Sequence, residues 1–168
     1  MIQPVHEKNE FGAFCNMVDR HEILAGKKNV YIGDRGYCSY NNMAHVREQK
    51  QFFLFRTKDI HSKGLVSNFD FPEEAFDIDV RVSLVRSHSR KVMTDPGTCK
   101  RFVDQESAFD YISYGSYDTY ELAFRFIRFP LTESTYECIV ANLPRDEFPP
   151  ERIKELYYTR WGIESSCR

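Results

Sequence analysis

The sequence predicts an α/β protein in which a parallel pair of strands is followed by a longer antiparallel block. Two apolar runs, 30–32 and 51–58, enclose a helical segment, and this strand–helix–strand order is typical of parallel strands. From about residue 60 to residue 143, apolar and polar side chains alternate in segments that are separated by Pro, Gly and Ser residues. This pattern indicates antiparallel strands. The aromatic content of 15% also favours β-structure with large buried side chains.

The first predicted element is a helix within residues 7–24, because apolar side chains recur there at helical spacing. The strand at 30–32 follows and ends in the sequence "GDRG". Ser39 or Asn41 is expected to cap a helix over 41–50. The second apolar run then forms the strand that lies parallel to the first.

The antiparallel block contains three alternating segments, 76–87, 120–129 and 136–143, and we expect each to form a strand. Pro149 and Pro150 follow the last of them, and a final helix is expected from about residue 151. The β-rich segment therefore separates the parallel strand pair from the closing helix.

Composition excludes several classes of protein. The 168 residues suffice for a hydrophobic core, and 42% hydrophobic with 29% charged residues argues against disorder. The net charge of −2 excludes a uniformly basic nucleic-acid binder. No apolar run approaches the ~20 residues that span a membrane. The five cysteines show neither a CxxC pair nor Cys/His ligand spacing, so we expect reduced cytosolic thiols.

Charge is distributed along the chain in blocks. Residues 66–79 hold five acids and no Lys or Arg, residues 81–101 hold six bases and one acid, and residues 102–124 hold five acids and no bases. Solvated loops and strand edges explain such blocks without a function. A binding site for an anionic polymer would have to be local or depend on metal ions.

Asp34 is the first candidate functional residue. It comes directly after an apolar strand, and active groups in α/β sheets gather at the carboxyl ends of parallel strands. Gly33 would permit a close approach, and Gly36 would permit a turn with positive φ. The alternative is a turn aspartate that only caps the following loop.

The closing helix carries the second group of candidates. At 100° per residue, Arg160 and Glu164 lie within about 60° of Tyr157, inside the apolar arc of the helix. Buried charges need a partner, so these residues either bind something charged or pair with each other. The order Arg-then-Glu is the less favourable one for an i,i+4 pair. Gly162, in mid-helix, costs about 1 kcal/mol relative to alanine.

Two motifs together resemble a known family. "YIGDRGY" and the distant "LYYTRWGIE" are similar to bacterial insertion-sequence transposases with a DDE triad. The last helix of the insertion-sequence-four group of these enzymes has the signature Tyr-x2-Arg-x3-Glu-x6-Lys. Tyr157, Arg160 and Glu164 match its first three positions, and the resemblance covers nearly the whole chain.

The resemblance implies a partial ribonuclease-H-like core. In that group a mostly-β insertion separates the second acidic residue from the final catalytic helix. The implied organisation is a partial core over 1–59, a β-rich insertion over 60–147 and the catalytic helix over 148–168.

The implied chemistry is metal-dependent cleavage of DNA at transposon ends, followed by strand transfer. The reaction is expected to need two Mg²⁺ or Mn²⁺ ions about 4 Å apart in the full-length protein. Such hard ions prefer carboxylate oxygens as ligands. Asp34 and Glu164 are expected to be two of three catalytic carboxylates that bind them. Arg160 is expected to hold a DNA phosphate, and Tyr157 to add a hydroxyl contact.

Double-stranded DNA, as transposon ends and as target, is the implied partner. The full-length protein is expected to act as a homodimer, with no membrane partner. Arg56 and Lys58 are expected to touch the DNA backbone without reading sequence. The same is expected of Lys63 and of a basic run formed by Arg81, Arg86, Arg90 and Lys91. Trp161 is assigned to core packing rather than to base stacking.

Two parts of the family pattern have no match. The first aspartate of the triad belongs on a strand before the first helix, and Asp19 is a poor substitute because it lies within a helical pattern. The signature lysine would lie beyond residue 168. We therefore expect an inactive fragment of a longer transposase of the bacterial cytoplasm and nucleoid. The alternatives are a non-catalytic interaction module or degenerate transposon remnant, and a nuclease without strand transfer.

Overall fold

The structure is a computed structural model that describes residues 10–22, 26–66, 69–93 and 99–165, with the backbone alone at 11 and 161–165. The helices are α1 (Glu10–Arg20), α2 (Tyr40–Glu48), α3 (Arg90–Met93) and α4 (Pro150–Ser165), and Arg35–Tyr37 forms a 3₁₀ turn. The strands are β1 (Val30–Gly33), β2 (Phe52–Thr57), β3 (Phe76–Val85), β4 (Cys99–Phe102), β5 (Thr119–Pro130) and β6 (Tyr136–Ala141).

These strands form one six-stranded sheet in the order β1-β2-β6-β5-β3-β4. β1 and β2 are parallel, as predicted, and the β2/β6, β6/β5 and β5/β3 pairs are antiparallel. The mixed α/β class is therefore confirmed. The three strands expected in the later block pair with one another in antiparallel orientation, as predicted, and the unpredicted strand β4 runs parallel to β3 at the edge of the sheet.

Helices cover both faces of the sheet. On one face, α1 and α2 pack against alternate side chains of β2, and the core there includes Phe14, Met43 and Phe55. On the other face, α4 packs with Ile153 and Tyr157 into a core that includes the intervening side chains of β2, β5 and β6. Burial on both faces explains why residues 51–58 read as a continuous apolar run.

The predicted helix ends are settled by local hydrogen bonds. The hydroxyl of Ser39 accepts from the backbone N–H of Asn42, so Ser39 caps α2. Asn41 is instead the second residue of the helix, and its side chain bonds to Asp110. Pro150 begins α4, where a missing N–H has no cost. Among the described helices, none combines the length and apolar character that crossing a membrane requires.

The sheet is continuous between the first strand pair and the β-rich segment. β6 lies between β2 and β5. Its residue Ala141 pairs with Leu54 of β2 on one side and with Arg125 of β5 on the other. The carboxyl end of β2 therefore pairs directly with the start of β6. The division at residues 59 and 147 stays a prediction.

Candidate active site

Asp34 follows the last residue of β1, and its two carboxylate oxygens have different neighbours. Oδ1 accepts a hydrogen bond from the backbone N–H of Gly36 at 3.0 Å and so caps the 3₁₀ turn. Oδ2 lies 3.6 Å from Nη1 of Arg160, on α4. The carboxylate therefore caps the turn, as the alternative proposed, and also faces the closing helix.

The two glycines that flank this region behave differently. A Cβ at Gly33 would lie 2.9 Å from Cβ of Tyr37 and 3.1 Å from a ring carbon of Phe55, so the predicted close approach is confirmed. The expected positive φ at Gly36 is wrong, because the described glycines with positive φ are Gly26 and Gly115. Gly36 needs no such conformation, because it lies inside the 3₁₀ turn that the aspartate caps.

The closing helix presents its predicted inner face to the sheet. Ile153 and Tyr157 are fully buried, and the side chain of Arg160 is 23% exposed. Arg160 reaches across to Asp34 at the end of β1. Glu164 lies on the same helix, but its side chain, like that of Trp161, is outside the described residues. The approach of Glu164 to Asp34 stays a prediction.

The hydroxyl of Tyr157 is buried and has no hydrogen-bond partner among the described residues. Burial raises the pKa of Tyr157, the positive charges of Arg160 and Arg56 oppose that rise, and the negative charges of Glu137 and Asp34 add to it. The phenol thus stays protonated as a hydrogen-bond donor, with two cations and two anions around it.

The two other expected DNA contacts have different surroundings. Lys58, just past β2, is exposed. Arg56, on β2, is 31% exposed and forms an ion pair with the carboxylate of Glu137, which is buried on β6. Glu137 also accepts a hydrogen bond from the Tyr158 hydroxyl at 3.3 Å. Sequence reasoning missed Glu137, although an acid within the apolar run of β6 was a visible signal.

A cleft of about 870 Å³ opens beside Asp34. Its walls come from the exposed side of α1, the end of β1, the 3₁₀ turn and α4. The charged and amide side chains that line it are those of Glu10, Asn16, Arg20, Asp34 and Arg160. The contribution of α1 was not predicted, because helical periodicity identifies the face that enters the core and not the function of the other face.

Arg86, from the basic run, is unavailable for the DNA contact considered above. Its side chain is buried, and its guanidinium donates to the backbone carbonyls of Phe109, Ile112, Asp104 and Ser107. This arginine therefore organises residues 104–112. It does not face solvent.

A second group of titratable side chains lies on the opposite side of α1 from the cleft. Nδ1 of His45 lies 2.9 Å from Asp19, and Nε2 lies 2.8 Å from Asp110. Sγ of Cys15, a nitrogen of His45 and an oxygen of Asp110 all lie within 4.8 Å of one another. Both ring nitrogens already face carboxylates, so an imidazolium between two anions accounts for the arrangement. Asp19 is engaged here and not at Asp34.

The fold and the site define a mixed α/β protein whose cleft is lined by a strand-end carboxylate and an arginine, next to a phenol buried under the same helix. The chain belongs to the family described as Transposase DDE domain, whose model matches residues 3–168. No curated protein and no solved structure matches the chain. Members of this family are DNA transposases, enzymes that generally use divalent metal ions. The match confirms the resemblance to DDE transposases, and the insertion-sequence-four group stays a prediction.

Proposed function

We propose that the chain is the catalytic region of a DNA transposase of the insertion-sequence-four group, with a ribonuclease-H-like core. The observation that carries the proposal is the 3.6 Å approach of Arg160 to Asp34, which joins the two motifs across the fold. The β-rich segment between them corresponds to the insertion of that group. The homodimer, and the division into core, insertion and closing helix, belong to the same proposal.

Asp34 fits a hard divalent cation. Its carboxylate is 52% exposed and borders the cleft, and carboxylate oxygens are the donors that Mg²⁺ and Mn²⁺ prefer. Together with Glu164, it would hold the two ions of the proposed reaction. Such ions, when bound, activate the attacking oxygen and stabilise the leaving one.

The chain's own residues supply the phosphate contacts. The guanidinium of Arg160 would bind two oxygens of a DNA phosphate, because its planar fork matches that geometry. The Tyr157 hydroxyl, a buried donor without a partner among the described residues, would give a third contact. Lys58 and Arg56 would position the DNA backbone without reading sequence.

Two acids, Asp34 and Glu164, are fewer than the three that the reaction needs. Asp19 cannot complete the set, because it is bound to His45 on the far side of α1. We therefore expect no strand transfer by these 168 residues alone.

Binding of Mn²⁺, followed by electron paramagnetic resonance, tests the proposal without requiring activity. Asp34→Asn should abolish binding at this site, while Asp79→Asn, at an exposed carboxylate paired with Arg145, should leave it intact. Equal binding by wild type and Asp34→Asn would favour the non-catalytic interaction module. If a longer form cleaves DNA but joins no strands, the nuclease alternative would be correct.

A further inference from the structure

Glu137 lies on the same face of the sheet as Asp34 and Arg56. Gly33 pairs with Phe55 across β1 and β2, so Asp34 and Arg56 each lie one residue further along. Arg56 pairs with Ile139 across β2 and β6, and Glu137 lies two residues from Ile139 on the same side of the sheet. All three charged residues are on the face that α4 covers.

Arg56 forms its ion pair with Glu137 through Nε, at one end of the guanidinium. The Glu137 carboxylate faces Nε of Arg56, and the arginine side chain remains 31% exposed while the glutamate side chain is 5% exposed. An ion pair through Nε leaves the terminal nitrogens to bind a second anion. A buried carboxylate is costly without a cation, so Glu137 and Arg56 hold each other in place.

Four charged side chains act electrostatically on the Tyr157 hydroxyl, namely Arg160, Arg56, Glu137 and Asp34. Asp34 is beside Arg160, and Glu137 is beside Arg56. The two anions neutralise the two guanidiniums while no phosphate is bound. Such a balanced set lets both arginines act on a phenol that has no hydrogen-bond partner among the described residues, without the repulsion that two isolated cations would have.

We infer that Glu137 is a positioning residue that holds Arg56 as the second guanidinium of the phosphate site formed by Arg160 and Tyr157. This inference rests on the proposed function. It extends the site to β6, so that the β-rich segment contributes to the binding of the DNA phosphate as well as to the sheet. The ligand is a phosphate of the DNA backbone.

The direction in which Glu137→Gln changes the DNA affinity distinguishes a positioning role from a purely electrostatic one. Glu137→Gln removes a negative charge and would tighten DNA binding if charge alone mattered. If Glu137 positions Arg56, the same change weakens binding, by roughly three- to tenfold. It also lowers the slope of log affinity against log salt by about 1, because one phosphate contact is lost.

A double-mutant cycle tests the inference on the full chain, with a short fluorescein-labelled DNA duplex as the probe. We expect Glu137→Gln to weaken binding in the wild type and to have no effect in the Arg56→Met background. Tyr158→Phe removes the other hydrogen bond of Glu137 and should leave affinity unchanged. Glu48→Gln is the matched control, since Glu48 accepts from the Tyr120 hydroxyl at 2.6 Å on the α2 side of the sheet.

The outcomes are distinguishable. If neither Arg160→Gln nor Lys58→Ala weakens binding, the proposed DNA site itself is wrong. If those variants weaken binding but Glu137→Gln does not, the positioning role alone is overturned. A loss with Tyr158→Phe equal to that with Glu137→Gln would also overturn it, since Glu137 would then act by docking α4. Circular dichroism identifies unfolded variants. The Glu137→Gln/Arg56→Met double variant removes both charges of the ion pair together, so it leaves neither partner uncompensated and can be compared with Arg56→Met if Glu137→Gln alone unfolds.

Discussion

Asp34 and Arg160 form an ion pair at 3.6 Å through the same carboxylate that the proposed metal site requires. One carboxylate oxygen cannot pair with a guanidinium and coordinate a cation at full strength at once. Metal binding should therefore displace Arg160 from Asp34 and release it for a phosphate. Under the proposed function, the pair would couple metal binding to DNA binding.

Arg160→Gln should have opposite effects on the two ligands. It removes a competing cation from a partly exposed pair, so Mn²⁺ should bind roughly two- to fivefold more tightly. DNA affinity should fall, because the phosphate fork is lost. Titrations of Mn²⁺ by electron paramagnetic resonance, and of labelled duplex by anisotropy, measure the two effects.

The matched control for that substitution is Arg152→Gln, on the exposed side of α4. Both affinities should stay close to the wild-type values in this variant. Unchanged or weaker Mn²⁺ binding by Arg160→Gln would show that the arginine does not compete for Asp34.

Tyr157→Phe should separate stability from binding. The hydroxyl is buried and has no partner in the part of the chain that the structure describes, so its removal should leave the free energy of unfolding unchanged or raise it by up to about 1 kcal/mol. DNA affinity should fall several-fold, because a donor to the phosphate is lost. Urea denaturation and duplex binding measure these two quantities.

Tyr40→Phe provides the comparison, since its hydroxyl donates to the carbonyl of Leu65 at 2.8 Å. That substitution should lower stability by about 1 kcal/mol and leave DNA binding alone. A Tyr157→Phe variant that is destabilised to the same extent, with normal DNA affinity, would assign the hydroxyl a structural role.

The sequence allowed Asp34 and Arg160 to be predicted because each follows from a local rule. A strand end locates Asp34, and helical periodicity locates Arg160 beside Tyr157. Glu137 could not be assigned in this way, because its partner depends on which strands become neighbours in the sheet. β4 was missed for a related reason. Its four residues have no apolar alternation, and only the edge of β3 defines them as a strand.

Gly33→Ala should disturb the turn that holds Asp34. The added Cβ would lie 2.9 Å from Cβ of Tyr37, an atom that cannot move without its backbone. We expect a loss of roughly 1–3 kcal/mol in the free energy of unfolding and weaker Mn²⁺ binding. Gly64→Ala is the control, because a Cβ there meets nothing closer than 3.8 Å. Equal melting temperatures for the two variants would contradict the close packing at Gly33.

The Asp19–His45–Asp110 group should make stability depend on pH. Burial alone would lower the pKa of His45, but hydrogen bonds and charges from Asp19 and Asp110 outweigh it and raise that pKa above 6.5. Hydrogen bonds from Asn41 and His45 lower the pKa of Asp110 below 3.8. The stabilisation by His45 is fully present below pH 6.5 and is lost as the pH rises through the raised pKa. The stabilisation by Asp110 is present above pH 3.8 and is lost as the pH falls through the lowered pKa of its carboxylate.

Melting temperatures between about pH 5 and pH 9 test this dependence. The wild type should lose stability toward the alkaline end, because a neutral imidazole has one N–H for two carboxylates. His45→Gln should be less stable at the acidic end and lack this alkaline decline. His88→Gln, at a histidine stacked on Phe102, should retain the wild-type profile. An alkaline decline that persists in His45→Gln would show that the pH dependence arises elsewhere in the chain.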